Sequence, residues 1–162
     1  MQASGLAPDS GDQLIMELSD DQVNEVFKFA TLEFTSAQIQ RSIDNLDVSA
    51  DVKVLLFKVS TRVIRVGETV VRIGQKVLET LLRFLRAFPN TTFGVIFGAI
   101  AGALVGSVPL IGWVLGPLVT PILMALGVVL GAKQDLLDKA LESRIKASVM
   151  EYSVLNGEPK HG

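Results

Sequence analysis

The sequence predicts an all-α membrane protein: a two-span, glycine-rich transmembrane helical hairpin, preceded by short N-terminal helices and a long amphipathic basic helix and followed by a C-terminal amphipathic helix. Three observations carry that expectation. No charged side chain lies between Arg86 and Lys133, a run too long for one buried helix and about right for two membrane spans. Within it Gly94, Gly98, Gly102 and Gly106 recur at every fourth position, the small-residue stripe along which membrane helices pack closely. Upstream, apolar residues recur at helical spacing opposite a strip of arginines and lysines.

Taken in order, residues 1–17 read as a flexible leader, with no basic stretch and apolar run of the kind that marks a secretory signal. Residues 18–48 read as acidic N-terminal helices. Ser19 with Asp20, Asp21 and Gln22 fits a capping box, and Thr35 and Ser36 are placed to cap a second short helix. Residues 1–50 carry nine acidic and two basic side chains. That surface is a solvated face or a docking face for the basic segment that follows.

Residues 50–88 read as one long helix. Val52, Leu56, Val59, Val63, Val66, Val70, Ile73 and Val77 alternate spacings of four and three, while Lys58, Arg62, Arg65, Arg72, Lys76, Arg83 and Arg86 lie opposite. A strand starting near residue 52 is the rival, but alternation fails across RVIRVGETVVRIG. Such a helix packs in a core, joins subunits as a coiled coil, or lies on an anionic bilayer. Arg62, Arg65, Arg72, Lys76, Arg83 and Arg86 are the candidate contacts to lipid headgroups or an acidic partner. No aromatic residues interleave with this strip, so nucleic acid is not an expected partner.

Pro89 and the Asn90–Thr91–Thr92 run break that helix and start the hairpin, residues 91–132. Spans of 91–108 and 110–132 would be about 27 and 34 Å long, with Pro109 and Gly112 at the turn and Trp113 at the far interface. A turn at Gly116–Pro117 or a re-entrant hairpin are alternatives. Gly127 and Gly131 repeat the glycine spacing in the second span. Arginines before the hairpin and lysines after it place both termini in the cytoplasm. Residues 133–155 form a mixed-charge amphipathic helix with Leu136, Leu137, Ala140, Leu141, Ile145 and Val149 on its apolar side, and 156–162 form a flexible tail.

Catalytic signatures are missing. There is no cysteine, and the one histidine, His161, sits in the tail, so no enzyme activity, metal or cofactor is expected. In apolar length and glycine content, residues 88–133 look like the hydrophobic helical hairpin of pore-forming bacteriocins and two-span holins, a likeness that implies membrane permeabilisation. The leading expectation is a non-catalytic integral membrane protein that self-associates through glycine-lined faces, as a structural, scaffold or pore-lining subunit. Its partners would be membrane lipids, further copies of itself and a larger membrane complex. A dedicated channel is one alternative, and a soluble all-helical interaction protein that buries the apolar hairpin is another.

Overall fold

The computed structural model describes residues 1–127 and 139–159. The chain opens with strands where a flexible leader was expected. β1 (Gln2–Leu6) and β2 (Gln13–Glu17) form an antiparallel hairpin in which Ala3 and Gly5 face inward and Gln2 and Leu6 face out. Ser19 and Thr35 then close capping boxes on α1 (Asp20–Phe29) and α2 (Ser36–Asp44), each sharing hydrogen bonds with the glutamine three residues on. Ser49 caps α3 (Ala50–Ser60).

The single long helix expected over 50–88 is instead four elements. After α3 come β3 (Ile64–Val66), β4 (Thr69–Val71) and α4 (Ile73–Ala87). The two strands pair through a turn at Gly67–Glu68, where Gly67 has φ +62°, the left-handed value that a two-residue hairpin reserves for glycine. Ile64, Val66 and Val71 are buried, and Arg65 and Val70 face out. Alternation is therefore complete in β3, whereas in β4 only Val71 turns inward. The turn at Gly67–Glu68 interrupts it and β4 does not resume it, which is why no unbroken period of two runs through RVIRVGETVVRIG.

Downstream lie α5 (Phe93–Ser107), α6 (Pro109–Ala125), α7 (Lys139–Glu151), a 3₁₀ turn (Tyr152–Leu155) and the short strand β5 (Glu158–Pro159). All five strands join one antiparallel sheet in the order β4-β3-β1-β2-β5, which draws together the start, middle and end of the chain. The fold is mixed α/β, not all-α.

The uncharged segment does form two packed helices, but they are short and internal. At 15 and 17 residues they extend about 22 and 25 Å, less than the hydrocarbon core. Among the described residues no helix is long and apolar enough to cross a membrane. Ile96, Phe97, Ile100 and Leu104 of α5, and Leu110, Val114, Ile122 and Leu123 of α6, are buried in the main core. They pack against α3, α4, α7 and the β1–β2 hairpin. The integral-membrane placement, the cytoplasmic termini of a spanning protein, the lipid and membrane-complex partners, and the scaffold, pore and channel functions are all corrected by this finding. The bacteriocin and holin likeness falls with them. Burial of the hairpin within the chain, the feature of the interaction-protein alternative, is what the structure shows.

The glycine stripe does not support a zipper either. Gly102 and Gly106 are exposed with open space beside them, while Gly94 and Gly98 are half-buried. The homo-oligomer expected from that stripe loses its warrant. Gly127 ends α6 in the left-handed region with φ +74°, and Gly131 lies outside the described residues, as do Lys133 and the start of the expected C-terminal helix. At the hairpin turn Pro109 opens α6, and a Cβ on Gly112 would approach the Val105 carbonyl oxygen to 2.9 Å. Trp113, expected at a lipid interface, donates its indole N–H to the Asp12 carbonyl at 2.8 Å. Tighter backbone approaches that only glycine permits occur at Gly74, against the Val59 carbonyl, and at Gly157, against the Glu17 carbonyl, while at Gly5 a Cβ would collide with the Val114 side chain.

These two environments separate in a stability measurement. We expect Gly5→Val to destabilise the protein by about 1–3 kcal/mol through overpacking. Gly102→Ala should stabilise it by about 0.5–1 kcal/mol through helix propensity alone. Urea unfolding of the two variants beside the parent chain checks both signs.

Candidate binding trough

Helix α4 buries Val77, Leu78, Leu81 and Phe84, leaving Lys76, Thr80 and Arg83 at spacings of four and three on its outer side. Helix α7 buries Leu141, Ile145 and Val149, with Tyr152 buried just beyond its end, and Arg144, Ser148 and Glu151, each one residue before Ile145, Val149 and Tyr152, line its other side. The helices run antiparallel. Arg144 lies over the rings of Phe84 and Phe88, at 5.9 and 5.1 Å, near the end of α4, whereas Tyr152 reaches the Lys76 carbonyl near its start. Between the two polar stripes is a cavity of about 220 Å³. A second cavity of about 500 Å³ adjoins it on the α1 side and shares Lys76, Arg83 and Glu151, so the two form one trough.

The floor is held by two polar clusters. Glu79 is 1% exposed, and its carboxylate accepts from the Arg83 guanidinium at 2.8 Å and from the Glu33 backbone N–H at 3.2 Å. Arg83 also pairs with the Glu33 carboxylate at 2.6 Å. This chain of charges ties the turn after α1 to α4 and leaves Arg83 engaged on both sides. A buried carboxylate needs such partners, since losing one strands the charge. In the second cluster the Tyr152 and Thr80 hydroxyls share a 2.6 Å hydrogen bond, and each reaches the Lys76 carbonyl at 3.1 Å. The Phe29 ring meets Tyr152 edge-on at 4.6 Å. Burial pushes the Tyr152 hydroxyl well above its ordinary value; the Thr80 hydrogen bond works against that, and the charges of Glu151 and Glu79 add to it.

The rim is different. Arg144 is exposed and, among the described residues, makes no ion pair; its contacts are the two stacked phenylalanine rings, themselves 6.2 Å apart. Among the described residues the Lys76 ammonium has only the Thr31 carbonyl at 3.3 Å and the face of Phe29 at 5.3 Å. Glu151 makes no hydrogen bond or ion pair among the described residues. The trough therefore offers two cations, Lys76 and Arg144, without carboxylate partners among the described residues, beside Arg83, which is fully engaged. Among the described residues no three His, Cys, Asp or Glu side chains converge as metal ligands would.

Of the basic residues singled out in the sequence, Lys76 and Arg83 meet here. The others are dispersed. Arg62 follows α3 and donates to the Leu6 carbonyl at 3.3 Å, Arg65 lies in β3, Arg72 precedes α4, and Arg86 stacks on Phe34 at 4.9 Å. Arg144, Glu151, Glu79 and Tyr152 carry the rest of the trough and were not foreseen. Only the stripe Arg144–Ser148–Glu151 beside the apolar one was visible in advance, and the balanced charge of that helix disguised it. No family model matches this sequence, and no curated protein or solved structure matches it either.

Tyr152 is the only tyrosine, so its ionisation is directly observable. In the folded protein we expect phenolate absorbance to rise only well above pH 10, whereas in urea it should rise near the ordinary value of 10.0. Below that pH both states keep the proton. Above it the unfolded chain releases its proton first, so stability falls as pH increases. Tyr152→Phe should cost about 1–2 kcal/mol at neutral pH and lessen the alkaline loss. A folded-state midpoint near the ordinary value would show the hydroxyl to be solvated.

Proposed function

We propose that this chain is a non-catalytic recognition domain that takes an anionic segment of a partner protein into the trough between α4, α7 and α1. One observation carries the reading: Arg144 is held over two aromatic rings at the trough rim and, among the described residues, pairs with no carboxylate. Stacking covers a face of the guanidinium and leaves its edge N–H groups for a carboxylate or phosphate. Lys76 supplies a second charge on the facing helix, held by the Thr31 carbonyl. The surrounding groups suit binding better than chemistry, because Glu79, Thr80 and Tyr152 are occupied in holding the floor. Of the acidic-partner contacts expected from the sequence, Lys76 is kept in this reading and Arg144 is added, while Arg83 is already paired with Glu33 and Glu79.

An acetylated hexaglutamate amide is a sufficient probe. Titrated into ¹⁵N-labelled protein at low salt, it should shift the amides of α4 and α7, with affinity falling as salt is added. Arg144→Gln with Lys76→Gln should weaken binding about ten-fold or more while the protein stays folded, since charge-assisted contacts carry that much. Absence of binding, or equal binding by the double variant, would contradict the reading.

A further inference from the structure

We infer that Glu33 is a built-in occupant of the trough, a carboxylate of this chain resting on Arg83 that the acidic segment of the partner displaces when it binds. The inference rests on the trough being the binding site. Arg83 serves two carboxylates through the same guanidinium nitrogen, Glu79 at 2.8 Å and Glu33 at 2.6 Å. The two differ in how they would fare without it. The Glu79 side chain is 1% exposed and would be stranded as a buried charge, whereas that of Glu33 is 71% exposed and has water in place of Arg83. An ion pair so exposed contributes little to stability. The turn that carries Glu33 has its own hold on α4, because the Glu33 backbone N–H donates to the Glu79 carboxylate at 3.2 Å. The Glu33 carboxylate is therefore free to swing into solvent while the backbone stays in place.

Position and charge both call for that movement. Arg83 lies seven residues beyond Lys76 on α4, about 10 Å along the helix, and next to Phe84, one of the rings under Arg144. An extended acidic segment that joins Lys76 to Arg144 passes Arg83 and meets the Glu33 carboxylate there. Around the whole trough Lys28, Lys76, Arg83 and Arg144 balance Glu25, Glu33, Glu79 and Glu151, so its walls carry no net charge. Turning Glu33 outward tips that balance by one positive charge. Arg83 then keeps its buried partner, Glu79, and offers the vacated position to a carboxylate from outside. Because Glu33 is tethered beside Arg83, it competes at a high local concentration, and the partner's affinity is lowered by the fraction of time Glu33 spends in place.

Titration of the acetylated hexaglutamate amide into the parent chain, Glu33→Gln and Glu151→Gln tests this, with shifts of α4 and α7 amides giving the affinities. Each variant loses one carboxylate of the trough, but only Glu33→Gln also frees a position on Arg83. Glu151→Gln thus measures what the loss of a negative charge does by itself. We expect Glu33→Gln to bind about three- to five-fold more tightly than the parent, and Glu151→Gln to gain less than about two-fold. The Arg83 Nε–H resonance should move when the parent is saturated, as one carboxylate replaces another, and should move further in Glu33→Gln. Equal gains in the two variants, or an Arg83 resonance that the peptide leaves in place, would overturn the inference while hexaglutamate still binds. If hexaglutamate binds none of the three proteins, the anionic-partner reading fails with it.

Discussion

The helical hairpin of α5 and α6 is the body on which every other layer rests. Its side chains are apolar on all sides, and such a helix has two stable surroundings, lipid or the middle of a protein. Here α3 and the β1–β2 hairpin cover α6, while α4 and α7 cover α5. Removing those apolar surfaces from water is the main favourable term available to a chain with so few buried polar contacts. The sheet gains from it too: β1 lies close enough to α6 for Gly5 to be required opposite Val114.

The same burial sets the geometry of the trough. Helices α4 and α7 both lean on α5 with their apolar stripes, so α5 acts as the spacer between them. Their polar stripes are left facing each other across a gap instead of packing. The ends of the gap are then pinned locally, by Arg144 stacked on Phe84 and Phe88 and by Tyr152 bonded to the start of α4. At the third wall, the Glu33–Arg83–Glu79 bridge anchors the turn after α1. Apolar packing positions the helices, and a handful of polar contacts decide how wide the opening stands.

Local rules were legible in the sequence, and choices between environments were not. The capping boxes at Ser19 and Thr35 depend on side chains three residues apart and form as their spacing implies. The hairpin at 64–71 was missed because its two strands are three residues each, and the turn at Gly67 interrupts the alternation after the first. A helical stripe and two short strands then fit the same valines. The uncharged run was assigned to lipid because hydropathy measures dislike of water and says nothing about what replaces it. Counting the remaining apolar faces available to cover the hairpin would have been the missing step. In the trough, Lys76 and Arg83 were visible as charges on a helix, but their meeting with Arg144 depends on a helix more than fifty residues later, a pairing that only the tertiary fold creates.

Amide hydrogen exchange of the hairpin in plain aqueous buffer tests its burial most directly. We expect the amides of Ile96, Ile100 and Leu104 in α5 and of Val114 and Ile122 in α6 to be among the slowest in the protein. They should exchange only through global unfolding, and detergent micelles should not protect them further. Fast exchange of these amides in water, with protection appearing only when micelles are added, would show that lipid rather than the rest of the chain is the hairpin's partner.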